Sequence, residues 1–138
     1  MSESASWSVQ KSLVQALKSD VALVDLLSGE RVYDAVPQRA AYPFISIGNA
    51  VDRDWSTSSE SGSEHTLTLH VWSKGKGKKQ CFEIISAVRR VLHDGELVVE
   101  DHELINLRLE FSDARLDPDG ETYHGILRFR AVTEAAVA

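Results

Sequence analysis

The sequence predicts an α+β fold: an antiparallel β-sheet of about four main strands, with helices packed on one face and a long β-hairpin. Three observations carry that prediction. Residues 63–73 alternate apolar and polar side chains with period two and then give way to a helical pattern. Residues 79–93 place Cys81, Ile84, Ile85, Val88, Val91 and Leu92 on one helical stripe. Two further alternating runs flank Asp117-Pro118-Asp119-Gly120, a strong turn signal that makes them an antiparallel pair. The order of helices, strands, helix and strands fits helices segregated to one face better than a doubly wound α/β fold.

Taken from the N-terminus, residues 7–18 form the first helix, since Val9, Leu13, Ala16 and Leu17 share a face. Asp20 caps a short second helix with Val21, Val24, Leu26 and Leu27 apolar and Gly29 as its stop. A short strand at residues 31–34 follows. Pro43 marks the start of a better strand in which Ile45 and Ile47 share a face, and Gly48 ends the clean alternation. Residues 52–62 are rich in small polar side chains and read as the tip of a long hairpin, with Trp55 as the odd member. In the next strand, period two sends Leu67, Leu69 and Val71 to one face and Thr66, Thr68, His70 and Trp72 to the other. An outer face carrying Trp and Thr is more than a solvated surface needs. After the main helix, closed by Gly95, residues 97–99 read as a short strand. In the final pair, Ile105, Leu107, Leu109 and Phe111 are expected on one face, as are Tyr123, Leu127 and Phe129.

The 138 residues fit a single domain spanning 1–138, with residues 1–6 and 133–138 frayed, and 43% apolar residues are enough for a real core. The longest apolar run is far short of the ~20 residues that a membrane-spanning helix requires. The N-terminus lacks a basic patch followed by an apolar stretch, so the chain reads as cytosolic when made. Cys81 has no second cysteine to pair with and reads as a buried structural thiol. A net charge of -6 argues against a protein that coats nucleic acid. The local exception is Lys74, Lys76, Lys78 and Lys79, crowded at a helix start where the macrodipole disfavours cations. A solvated loop is the plainer explanation. The sharper one is contact with an acidic partner or with nucleic acid passing nearby.

Known chemistry is not legible in the motifs. The five histidines, His65, His70, His93, His102 and His124, lack metal-ligand spacing, and His65 and His70 differ in strand parity. A calcium loop aligned on Asp117 to Gly120 puts Arg115 at the first ligand position and Ile126 at the final glutamate, which rejects it. Gly77 to Lys79 lacks the glycine and hydroxyl spacing of a phosphate loop, and a nucleophile elbow of the Gly-x-Ser-x-Gly type is missing. Metal, cofactor and catalytic residues are therefore all expected to be none. Arg128 and Arg130 share a strand face, as do Arg108 and Glu110, and serve either as solvated charge or as salt bridges between subunits.

Several segments, in order, carry a family resemblance: Val32-Tyr33-Asp34, residues 41–48, Asp54-Trp55-Ser56, residues 64–73 and residues 119–130. Together they resemble the small tail-completion, or tail terminator, proteins of tailed phages, most closely the branch of prophages and gene transfer agents. The resemblance implies a structural protein and not an enzyme: a homo-oligomeric ring, usually a hexamer, that caps the tail tube and presents the surface to which the head attaches. It further implies assembly in the cytoplasm of the producing bacterium and residence in the virion tail, with the tail tube protein and a head-tail connector or stopper as partners. Cyclic assembly requires two different patches on each subunit. The outer sheet face with His70 and Trp72, and Arg128 and Arg130 beside it, is the candidate subunit contact. The loop with Arg53, Asp54 and Trp55 is the candidate contact with tube or connector, and residues 74–79 are the candidate wall of a DNA channel. A connector elsewhere in the neck is the alternative. A small ligand- or nucleic-acid-binding domain is disfavoured because Trp72 looks nearly alone on its face.

Overall fold

A computed structural model describes residues 4–75 and 77–135. Among them are three helices, α1 (Ala5–Ser19), α2 (Val21–Leu27) and α3 (Lys79–Leu92), and five strands, β1 (Val32–Tyr33), β2 (Phe44–Asp54), β3 (Gly62–Lys74), β4 (His102–Leu116) and β5 (Thr122–Ala135). The strands form one sheet in the order β1-β2-β3-β5-β4. Its four long strands are antiparallel, and β1 adds a short fifth strand parallel to β2.

Local chemistry sets the helix boundaries. Ser4 Oγ accepts from the backbone N–H of Trp7, so α1 starts two residues earlier than expected. Asp20 caps α2 through the N–H of Leu23, and the same carboxylate takes both terminal nitrogens of Arg90 on α3, at 3.2 and 2.6 Å. The Arg90 hydrogen bond is the main reason the Asp20 carboxyl is held below its ordinary value. Ser28 in the left-handed region ends α2, with Gly29 N–H bonded to the carbonyl of Val24. In the β4–β5 turn, Asp119 accepts from the Thr122 hydroxyl and from the N–H groups of Glu121 and Thr122, which holds its carboxyl down to about 2.

The core lies between the helices and the inner face of the sheet. Leu13 and Leu17 of α1, Leu23 and Leu27 of α2, and Ile84, Val88 and Leu92 of α3 are buried there against Ile45, Leu67, Leu69, Val71, Leu127 and Phe129. Gly125 of β5 is what lets α3 lie close: a Cβ there would meet Cys81 Sγ and Ile85 Cδ1 at 3.0 Å. Burial under this contact pushes the Cys81 thiol up to about 11, leaving it protonated and a poor nucleophile.

The structure corrects four expectations. Residues 97–99 are irregular and pair with no strand: Val99 is buried, Val98 is 90% exposed, and the Val98 carbonyl accepts from Ser12 of α1. The β4 run does not keep one face, because the register shifts between Leu104 and Asn106 and again between Leu109 and Phe111. Leu107 and Leu109 point inward, Ile105 is left exposed, and Phe111 turns outward opposite Arg128. The shift at Gly48 bends β2 without ending it, so the hairpin is laddered to Asp54 and Ser63 and its loop is shorter than the composition suggests. Finally, Ala5 and Ser6 are helical, and Thr133 is buried in β5 rather than frayed.

Candidate functional site

The outer face of the sheet gathers most of the side chains singled out in the sequence, and pairing across strands explains how. Phe44, Trp72 and His124 stand opposite one another on β2, β3 and β5, and Ser46, His70 and Ile126 form the next row. The rings make a ladder. Trp72 and His124 stack at 3.9 Å between centroids and 11° between planes, Phe44 stacks on the other side of Trp72 at 6.4 Å, and Tyr42 and Tyr33 pack on Phe44 at 5.1 and 5.9 Å. The Trp72 indole N–H donates to Ser46 Oγ at 3.0 Å. His70 Nδ1 lies 2.7 Å from His124 Nε2. Trp72 is therefore not alone on its face, which removes the premise used against a base-stacking role.

Gly48 makes room for this arrangement, since a Cβ there would lie 2.7 Å from His70 Nε2. Burial holds the His70 imidazole below its ordinary value, with the nearby His124 adding to the effect. Burial also lowers His124, against the opposing pull of Asp117, whose Oδ1 stands 3.6 Å from His124 Nδ1. His65, one parity step away, belongs to the inner side: it is buried, with Nδ1 2.7 Å from Asp52 and Nε2 2.8 Å from Thr133. Among the described residues no group of three His, Cys, Asp or Glu side chains is placed to hold a metal ion.

Arg53, Asp54 and Trp55 stand at the hairpin tip. Trp55 is 54% exposed, with the Arg130 guanidinium 5.3 Å above its ring. Arg130 Nε also donates to Glu64 at 2.6 Å, directly across from Arg53 in the β2–β3 register. Arg130 is thus paired within its own chain, and the same holds for Arg128, which covers the outward-turned Phe111 at 5.2 Å. Asp54 accepts from the Ser56 N–H at 3.0 Å, and the Ser56 hydroxyl and amide keep its carboxyl below the ordinary value.

The lysines lie at the other end of β3, about 40 Å from the tip at ~3.3 Å per residue. Lys74 sits over the Tyr42 ring at 4.6 Å and 3.8 Å from Glu121. Lys78 holds the N-cap position of α3 without a side-chain hydrogen bond, and Lys79 is exposed. Lys76 lies outside the described residues. Sequence reading missed Phe44, Ser46, Tyr42, Glu64 and His124 as members of this face. The bulge at Gly48 hides the first two, because counting back from the hairpin turn gives the wrong partner. His124 faces Trp72 only through the pairing of β3 with β5, which leaves no local signal.

The match to known proteins is made over nearly the whole chain. The family model described as "Tail completion protein gp17" matches residues 11–134. The tail completion protein gp17 of Bacillus phage SPP1 is 29% identical over 126 residues, covering 91% of this chain and 92% of that protein. A chain of the virion of a native gene transfer agent particle superposes with a TM-score of 0.88 at 27% identity, over 97% of this chain and 100% of that one. The protein whose sheet carries the His–Trp ladder on one face and the helices on the other belongs to the tail completion protein gp17 family.

Proposed function

We propose that this protein is a structural component of a virion tail that forms a ring, with six copies, capping the tail tube and offering the surface to which the head is joined. The observation that carries this reading is the end-to-end match to a phage tail completion protein and to a chain of a gene transfer agent virion, with neither chain having an unmatched domain-sized part. The build of the molecule supports it. A subunit of a closed ring needs two different patches facing its neighbours. The outer sheet face, with His70, Trp72, Phe111 and Arg128, supplies one broad patch clear of the helices. The Trp55 tip and the lysine end lie far apart along β3, suited to meeting different components: the tip a tube or connector protein, and Lys74, Lys78 and Lys79 the acidic surface of a partner or DNA in transit. The role is structural rather than enzymatic, and assembly takes place in the cytoplasm of the producing bacterium.

The nucleic-acid-binding alternative is disfavoured for a new reason. The aromatic side chains are several, but Trp72 is stacked between His124 and Phe44, so its faces are already occupied and do not offer a platform for bases. Deleting the gene in the producing strain and imaging the particles tests the proposal. Filled heads beside tails of abnormal length support it. Tails of normal, capped length beside unjoined heads move the protein to the head side of the neck, and intact particles overturn the structural role.

A further inference from the structure

The contact between His70 and His124 is a hydrogen bond between two titratable rings, and its geometry constrains how many protons it can hold. At 2.7 Å, one of the two facing nitrogens must carry the proton and the other the lone pair. Asp117 Oδ1 stands 3.6 Å from His124 Nδ1, beyond hydrogen-bond length, and its negative charge favours a proton of neutral His124 on Nδ1 over one on Nε2. His124 Nε2 is then the acceptor, and His70 Nδ1–H the donor. His124 is also stacked on Trp72, whose indole N–H is held by Ser46, and His70 is backed by the Gly48 main chain.

We propose that His70, His124 and Trp72 form a proton-operated latch on the outer face, closed while the two imidazoles carry no charge or one charge between them, and opened when acidification charges both. The first added proton goes to His70 Nε2. The bridging proton then lies between the two rings, with Asp117 and Asp113 drawing the single charge toward His124, and the bond becomes charge-assisted. The second has only His124 Nε2 to go to, and that nitrogen then directs an N–H at the N–H of His70. Two donors cannot share the line, so the rings part, His124 leaves Trp72, and the face gains two positive charges.

The charged neighbours bias where this happens. Asp117 and Asp113 favour charge on His124, and Arg115, directly across from it on β4, opposes. Arg128 stands on the outer face one row along from Ile126, and Lys74 one row beyond Trp72. β2 and β1 contribute Ser46, Gly48 and Tyr33 at this level, none of them charged. Burial is the largest source of resistance, and both imidazoles are held below the ordinary histidine value.

The latch is a property of the single chain and does not depend on the ring. Its test is an NMR titration of the imidazole nitrogens and the Trp72 indole N–H in the purified full chain from about pH 8 to pH 4.5, spanning the histidine range. The expected result is two steps separated by more than about one pH unit. The first leaves the Trp72 signal in place, and the second shifts it and speeds its exchange with solvent. His70→Asn should reduce the pair to one step. Independent titration of both rings at the ordinary histidine value, or a Trp72 signal that stays fixed throughout, overturns the proposal. The wild-type titration alone separates these results should the variant fail to fold.

Discussion

The two faces of the sheet use the same alternating strands for different ends. On the inner face, Leu67, Leu69, Val71, Leu127 and Phe129 are shut off from water by helices drawn from both halves of the chain. On the outer face, Trp72, His124, His70 and Phe44 touch chiefly one another, and the charged side chains around them are paired at short range, as Arg130 is with Glu64. Burial of apolar area drives the first face, and its stabilisation scales with the surface removed from water. The second face has its rings interlocked without a covering layer, with the Trp72 indole N–H held by Ser46. The inner face accounts for why the chain folds, and the outer face is the part available to a neighbour.

Substitutions on the two faces should differ in size and in kind. The largest effect is expected from Phe129→Ala, which removes a fully buried ring and should cost about 3–5 kcal/mol of stability in denaturant unfolding. Gly48→Ala comes next: its Cβ forces the His70 ring out of place, at a cost of about 1–3 kcal/mol. Combining it with His70→Ala should recover part of that loss, leaving the 3.0 Å approach to the Thr68 carbonyl as the remainder. Purely additive losses in this double-mutant cycle would show that the outer ladder does not hold His70 in place.

Acidification should act on the outer face before the inner one. The folded chain resists protonation of His70 and His124 relative to the unfolded chain, so between the two values the unfolded state binds more protons. Stability is therefore fully present above the unfolded histidine value of about 6.5 and falls as pH drops below it. Thermal unfolding followed from neutral to mildly acid pH should show the loss, and His124→Asn should flatten it.

Much of the inner face was legible in the sequence, and less of the outer one. Period two in residues 67–71 and the stripe from Cys81 to Leu92 report burial directly, because each depends on spacing within one element. Asp20 and Gly29 announced the ends of α2 for the same reason. The β4 bulges, which turn Phe111 outward, and the pairing of β3 with β5, which brings His124 against Trp72, depend on register between strands distant in sequence. The same limit applied to Arg130. Its place on the strand was clear, but its pairing with Glu64 was not.

The smallest effect on stability is expected at the hairpin tip. Trp55→Ala should stay within about 0.5 kcal/mol, since the ring is half exposed at the tip, with Arg130 over its face. In a strain carrying only this variant, head joining should nonetheless fall. Normal particles would remove the tip from the list of contact sites.

The most direct measurement is a cryo-electron microscopy reconstruction of the head-proximal end of the tail in particles from the producing strain. A ring of this fold closing the tube is expected, with His70, Trp72 and Arg128 buried between adjacent copies. A ring in which the outer sheet face is open to solvent, or a tail end without this chain, would contradict it.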